Sequence, residues 1–80
     1  MTLLQLMIFL KIAKAGGDIG ISNVEIATAL EIGPVRISRN LRILTELGLI
    51  RQQIHPLNYR SNLNALSAQG KRLFMEIGFV

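Results

Sequence analysis

Arg36, Arg39 and Arg42 stand three residues apart, beside Val35 and Ser38, in a stretch that also carries an aliphatic repeat. Arginine suits phosphate oxygens and pairs bidentately with guanine O6 and N7, while a valine side chain can pack against a thymine methyl. Between positions 34 and 60 lie five arginines (36, 39, 42, 51 and 60) against the single acid Glu46, so this third of the chain carries the whole formal excess of +4. Clustered arginine is the electrostatic footprint of a phosphate-rich partner, although a solvated helix face has the same composition.

Other chemistry finds little to work with. The sequence has no cysteine, which removes disulfides, thiolate metal sites and thiol nucleophiles. His55 is the one histidine, it precedes a proline, and no acid is near it in sequence. The acids Asp18, Glu25, Glu31, Glu46 and Glu76 are scattered. Gly16-Gly17-Asp18-Ile19-Gly20 follows a predicted helix rather than a strand, so it is not a dinucleotide fingerprint. No catalytic residue, metal or cofactor is expected, and the chain reads as a non-enzyme.

The elements that must position the arginines follow from periodicity and punctuation. Eighty residues suit one domain, residues 1–80. Thr2 and Gln5 have capping-box spacing and open an apolar helix that runs to about Ala15 and stops at Gly16-Gly17. That helix is apolar nearly all round, which predicts burial on several sides, one of them against a second copy. Its apolar run, residues 3–10, is about half the roughly 20 residues that a membrane span takes. Residues 18–21 can add an edge strand. Ser22 and Glu25 form a second capping box before a short helix over 23–31, and Ile32-Gly33 turns the chain.

Pro34 suits the first position of a third helix, over 34–47, and Gly48 suits its end. At about 100° per residue, Ile37, Leu41 and Leu44 share one stripe, with Leu47 at its edge. Val35, Arg39, Arg42 and Glu46 fall opposite, flanked by Arg36, Ser38 and Ile43. Residues 49–55 read as a strand, 56–59 as a turn, 61–66 as a returning strand, and Ser67 as the cap of a last helix. Two helices joined by a tight turn and followed by a β-hairpin describe a mainly α fold with a small antiparallel β-wing, the winged helix-turn-helix.

Residues 21–50 resemble the helix-turn-helix of the MarR family of bacterial transcription regulators. Gly33-Pro34-Val35-Arg36-Ile37-Ser38-Arg39 stands in place of the family's Ser-Pro-x-x-Val-Ser-Arg-like run, which opens the recognition helix. Asn58-Tyr59-Arg60, then Leu66-Ser67 and Gly70, stand where the family's wing carries Asp-x-Arg followed by Leu-Thr and a glycine. Asn58 replaces the wing aspartate, which removes a partner charge for Arg60, and Gly33 replaces a serine cap.

The resemblance implies a double-stranded DNA partner. Helix 34–47 would enter the major groove with Val35, Arg36 and Arg39 at the bases, Ser38 beside them on the DNA, and Arg42, a turn later, on a phosphate. The wing, 54–63, would reach the minor groove or backbone through Arg60, with Asn58 and Tyr59 on phosphates. Ser22, at a helix head, is read first as an N-cap and second as a phosphate ligand. Family members are longer, with terminal helices that form the dimer interface and border an effector pocket. A homodimer through this chain's own terminal helices is therefore expected, without a small-molecule effector or a membrane, in the cytoplasm at the nucleoid. Two other readings stay open: a winged-helix protein-interaction module, and a phage or plasmid architectural DNA-binding factor.

Overall fold

The computed structural model describes residues 1–15, 18–54, 57 and 62–78. Its elements in chain order are α1 (Leu3–Ala15), β1 (Ile21–Ser22), α2 (Asn23–Leu30), α3 (Pro34–Glu46), β2 (Ile50–Ile54), β3 (Asn62–Leu66) and α4 (Ala68–Ile77). This is a mainly α winged helix-turn-helix with a three-stranded antiparallel sheet of order β1-β3-β2.

The helix ends form where local chemistry satisfies the backbone. Gln5 N donates to Thr2 Oγ1 at 3.2 Å, and Thr2 N donates to Gln5 Oε1 at 3.0 Å, a reciprocal capping box. Ser22 and Ser67 cap α2 and α4 by accepting from Glu25 N at 3.1 Å and Gly70 N at 3.0 Å. Pro34 occupies the first turn of α3, where its missing N–H costs no helical bond. Gly48 closes α3 at φ +77°, the left-handed region that glycine enters freely. The end of α2 departs from expectation. Its left-handed residue is Glu31, at φ 55°, ahead of the Ile32-Gly33 turn, and Ile32 N reaches back to Ala27 O at 3.1 Å.

Burial is centred on α3. Ile37, Leu41 and Leu44 lose all solvent contact against Ile8, Phe9 and Ile12 of α1 and Ile26 of α2. Ile21, Leu49, Ile50 and Leu66 complete this core from the sheet side. The first helix is less enclosed than its composition predicts: Leu3 and Met7 are exposed, while Leu4, Leu6 and Leu10 are half-buried.

In the hairpin, Ile50 lies opposite Leu66, Gln52 opposite Asn64, and Ile54 opposite Asn62. Side chains alternate along a strand, so these three rows share one face. That face is apolar and buried at Ile50 and Leu66, turns polar at Gln52 and Asn64, and is exposed at Ile54. The hairpin thus leaves the core at the Asn64 row. Its other face is covered by the segment before β1. Arg51 Nη2 donates to Asp18 O at 3.2 Å, and Gln53 Nε2 donates to Asp18 O at 3.2 Å and Ile19 O at 3.3 Å. Lys71 of α4 grips the same segment, with Nζ 2.7 Å from Asp18 Oδ1. The hydrogen bond and charge of Lys71 hold that carboxyl below its usual range.

The contact between α4 and the start of β2 leaves no room for a side chain. A Cβ on Gly70 would collide with Leu49 O, a backbone atom that cannot swing aside. The same carbonyl accepts from Ser67 N at 3.1 Å, so α4 is seated by its first turn on the 48–49 backbone. Gly70→Ala is therefore expected to lower the free energy of unfolding by about 1–3 kcal/mol, the overpacking range. Urea denaturation of both proteins measures it, and an unchanged midpoint would contradict this seating.

Candidate nucleic-acid interface

The buried stripe of α3 sets which side chains face water. Val35, Arg36, Ser38, Arg39 and Arg42 are all exposed, on the side away from Ile37, Leu41 and Leu44. Val35, at the head of the helix, keeps 65% of its surface in solvent. The guanidinium groups of Arg36 and Arg39 form no hydrogen bond or ion pair with another described residue. Arg42 differs, because its Nε meets Glu46 Oε1 at 3.3 Å across one helical turn. Both side chains of that pair are largely exposed, and such a pair is worth no more than about 0.5 kcal/mol. A phosphate can displace it.

The head of α3 is open to an anion in a way that the head of α2 is not. The first helical bond of α3 runs from Ile37 N to Gly33 O at 3.1 Å, so the N–H groups of Val35 and Arg36 point out of the helix end. Gly33 makes no side-chain cap bond, the first turn carries no acid, and a Cβ on Gly33 would meet nothing within 4 Å. The partial positive charge of a helix N-terminus adds to that of the arginines. At α2, Ser22 Oγ accepts from Glu25 N at 3.1 Å and donates to Glu25 Oε1 at 3.1 Å, so a carboxylate already lies at that helix head.

Amide side chains that carry no sequence signature of function hold α3 in place. The Asn40 amide nitrogen donates to Arg36 O at 2.8 Å, and Gln5 Nε2 donates to Asn40 Oδ1 at 3.3 Å. Gln5 is almost fully buried, so α1 contributes one polar tether from within an apolar run. On the other side, Asn23 Nδ2 donates to Ser38 Oγ at 3.5 Å. Sequence reasoning missed Gln5 and Asn40 as tethers. Their available signal was a polar amide set among residues of a helix-to-helix contact, which a sequence cannot distinguish from a surface position.

Arg51 does not share the exposed face of α3 with Arg36, Arg39 and Arg42. Arg51 lies on the hairpin face opposite the core and donates to Asp18 O, away from the arginine face of α3. Asn58, Tyr59 and Arg60, and His55 with them, fall outside the described residues. Strands β2 and β3 do form the hairpin that carries that segment. Among the described residues no group of three His, Cys, Asp or Glu side chains is gathered. Among the described residues no helix is long and apolar enough to cross a membrane.

Ser22 has a measurable structural role independent of any ligand. Ser22→Ala removes the α2 cap and is expected to lower stability by about 1 kcal/mol in the absence of nucleic acid. Chemical denaturation tests this, and a loss below a few tenths of a kcal/mol would leave the serine without a capping role.

No protein-family model matches this chain, and no curated protein does. Solved structures match its fold closely. A MarR crystal structure is 28% identical with a TM-score of 0.85, covering 96% of this chain and 54% of its own. RV1404 from Mycobacterium tuberculosis is 25% identical with a TM-score of 0.86, covering 96% and 50%. A mutant MarR from E. coli, complexed with operator DNA, is 22% identical with a TM-score of 0.86, covering 95% and 52%. The chain spans about half the length of these proteins. Over nearly all its residues, the chain has the fold of a MarR-like winged helix-turn-helix core.

Proposed function

We propose that this chain binds double-stranded DNA as the reading core of a sequence-specific transcription regulator. The observation that carries the reading is the pair of guanidinium groups of Arg36 and Arg39, exposed and without a described partner, at the head of a helix anchored by its opposite face. In a helix-turn-helix the second helix enters the major groove, and its N-terminal residues meet base edges. On this reading Val35, Arg36, Ser38 and Arg39 face the bases, and Arg42 leaves Glu46 for a phosphate. The wing, 54–63, takes the minor groove or backbone through Asn58, Tyr59 and Arg60. Ser22 caps α2 and is second in line for a phosphate, which would have to displace the Glu25 carboxylate from that helix head. The likeness to a MarR solved with operator DNA supports this assignment, and the similar structures named as regulators support a non-enzymatic role; a DNA-reading protein of this kind would act in the cytoplasm, at the nucleoid.

The protein acts as a homodimer in this reading. Leu3 and Met7 on α1, and Met75 and Ile77 on α4, leave apolar surface for a second copy. Two copies would set their recognition helices roughly 34 Å apart, one turn of duplex. The same apolar residues favour a second reading, in which the domain binds another protein and the arginine face is incidental.

Arg39→Ala separates the two. It is expected to cost roughly 1–3 kcal/mol of duplex affinity and to relax sequence preference at one position. Its melting temperature should stay unchanged, because the side chain is exposed and without a described partner. Mobility shifts at several salt concentrations measure the loss; unchanged binding would favour the protein-partner reading. Steep weakening with salt but no preferred sequence would keep DNA binding and remove the regulator role.

Sedimentation equilibrium is expected to give a dimer at micromolar concentration. A monomer persisting to high micromolar concentration would contradict the dimer.

A further inference from the structure

Asn64 is a fully buried polar residue in the central strand, at the row where the hairpin leaves the core. Burying an amide is costly unless each polar atom finds a partner. Here each one does. Asn64 Nδ2 donates to Ile21 O at 3.0 Å and to Asn23 Oδ1 at 2.7 Å, and Asn64 Oδ1 accepts from Gln52 Nε2 at 2.9 Å. Asn23 in turn donates from Nδ2 to Ser38 Oγ at 3.5 Å, the longest link.

These bonds form one chain with one direction. It starts on β2, crosses β3, passes the first turn of α2 and ends on α3, with every amide donating towards the recognition helix. Hydrogen bonds aligned in this way polarise one another, and the fully satisfied amide of Asn64, the one buried member, fixes the geometry at the centre of the chain. Ser38 ends the chain as an acceptor and donates to no other described residue, which leaves its hydroxyl proton available to an acceptor beyond the protein. Arg39 is the next residue.

We propose that the relay Gln52–Asn64–Asn23–Ser38 couples the wing hairpin to the recognition helix, and that Asn64 is a positioning residue for DNA reading. It sets the angle at which helix and wing meet the duplex together, and it aims the Ser38 hydroxyl at an oxygen acceptor of the DNA. The inference rests on the DNA-binding reading above. An aliphatic residue at position 64 would fill the same space but would pass no orientation from β2 to α3.

A double-mutant cycle on the two exposed ends of the relay provides the test, because Gln52 and Ser38 do not touch and neither is needed for the core. The full chain is titrated with the tightest duplex recovered from a randomised pool, and melting temperatures are recorded alongside. Gln52→Leu and Ser38→Ala are each expected to weaken binding about fivefold, the effect of one hydrogen bond. The double variant is expected to be no weaker than either single one, with Asn64→Leu reproducing the same loss. Separate sites with no shared partner add instead. A double variant weakened by the product of the two single losses would overturn the relay while leaving DNA binding in place. A merely structural role would lower melting temperatures and leave the cycle additive. If the unsubstituted chain recovers no duplex at all, the DNA-binding reading and the relay fall together.

Discussion

The rotation of α3 about its own axis is the constraint on which the surface of this protein depends. Ile37, Leu41 and Leu44 are buried against α1 and α2 without remaining exposure. Each such side chain is worth about 1.5–3 kcal/mol when removed from water. Turning the helix by one residue would trade aliphatic burial for burial of an arginine, which needs a partner charge that the core does not offer. The exposed row of Val35, Arg36, Arg39 and Arg42 is therefore a consequence of the aliphatic row behind it.

Burial fixes rotation but is not directional, and it leaves the helix some freedom to slide and tilt. Hydrogen bonds remove that freedom. Asn40 ties α3 to Gln5 of α1, and Ser38 ties it to Asn23 of α2, so the residues on both sides of Arg39 are tethered. The rest of the frame is fixed at a distance. Gly70 lets α4 sit on the Leu49 carbonyl, and Lys71 holds Asp18 against the outer face of the hairpin. The exposed arginines thus stand on a support whose parts are apolar behind and polar at the edges.

Much of this was legible in the sequence because it rests on local chemistry. The Thr2–Gln5 box, the Ser22 and Ser67 caps, Pro34 at the start of α3 and Gly48 after it are rules that act within a few residues. The aliphatic stripe of α3 was equally plain. What was hidden depends on residues distant in the chain. Asn64 sits between Leu63 and Ala65 in a strand, and alternation alone does not reveal that its strand is the central one, covered on both faces. Arg51 counts as one more positive charge until the register places it on the face away from the arginines of α3. Glu31 takes the left-handed cap in place of glycine, so the residue type at that position does not mark the turn.

If the aliphatic anchoring of α3 presents Val35, Arg36 and Arg39 to DNA, amide chemical shifts of the labelled chain, titrated with a duplex selected from random sequence, will show it. The largest changes are expected at Val35, Arg36, Ser38 and Arg39, with Ile37, Leu41 and the middle of α1 nearly still. Changes centred on Leu3, Met7 and Met75, with the head of α3 unmoved, would contradict it.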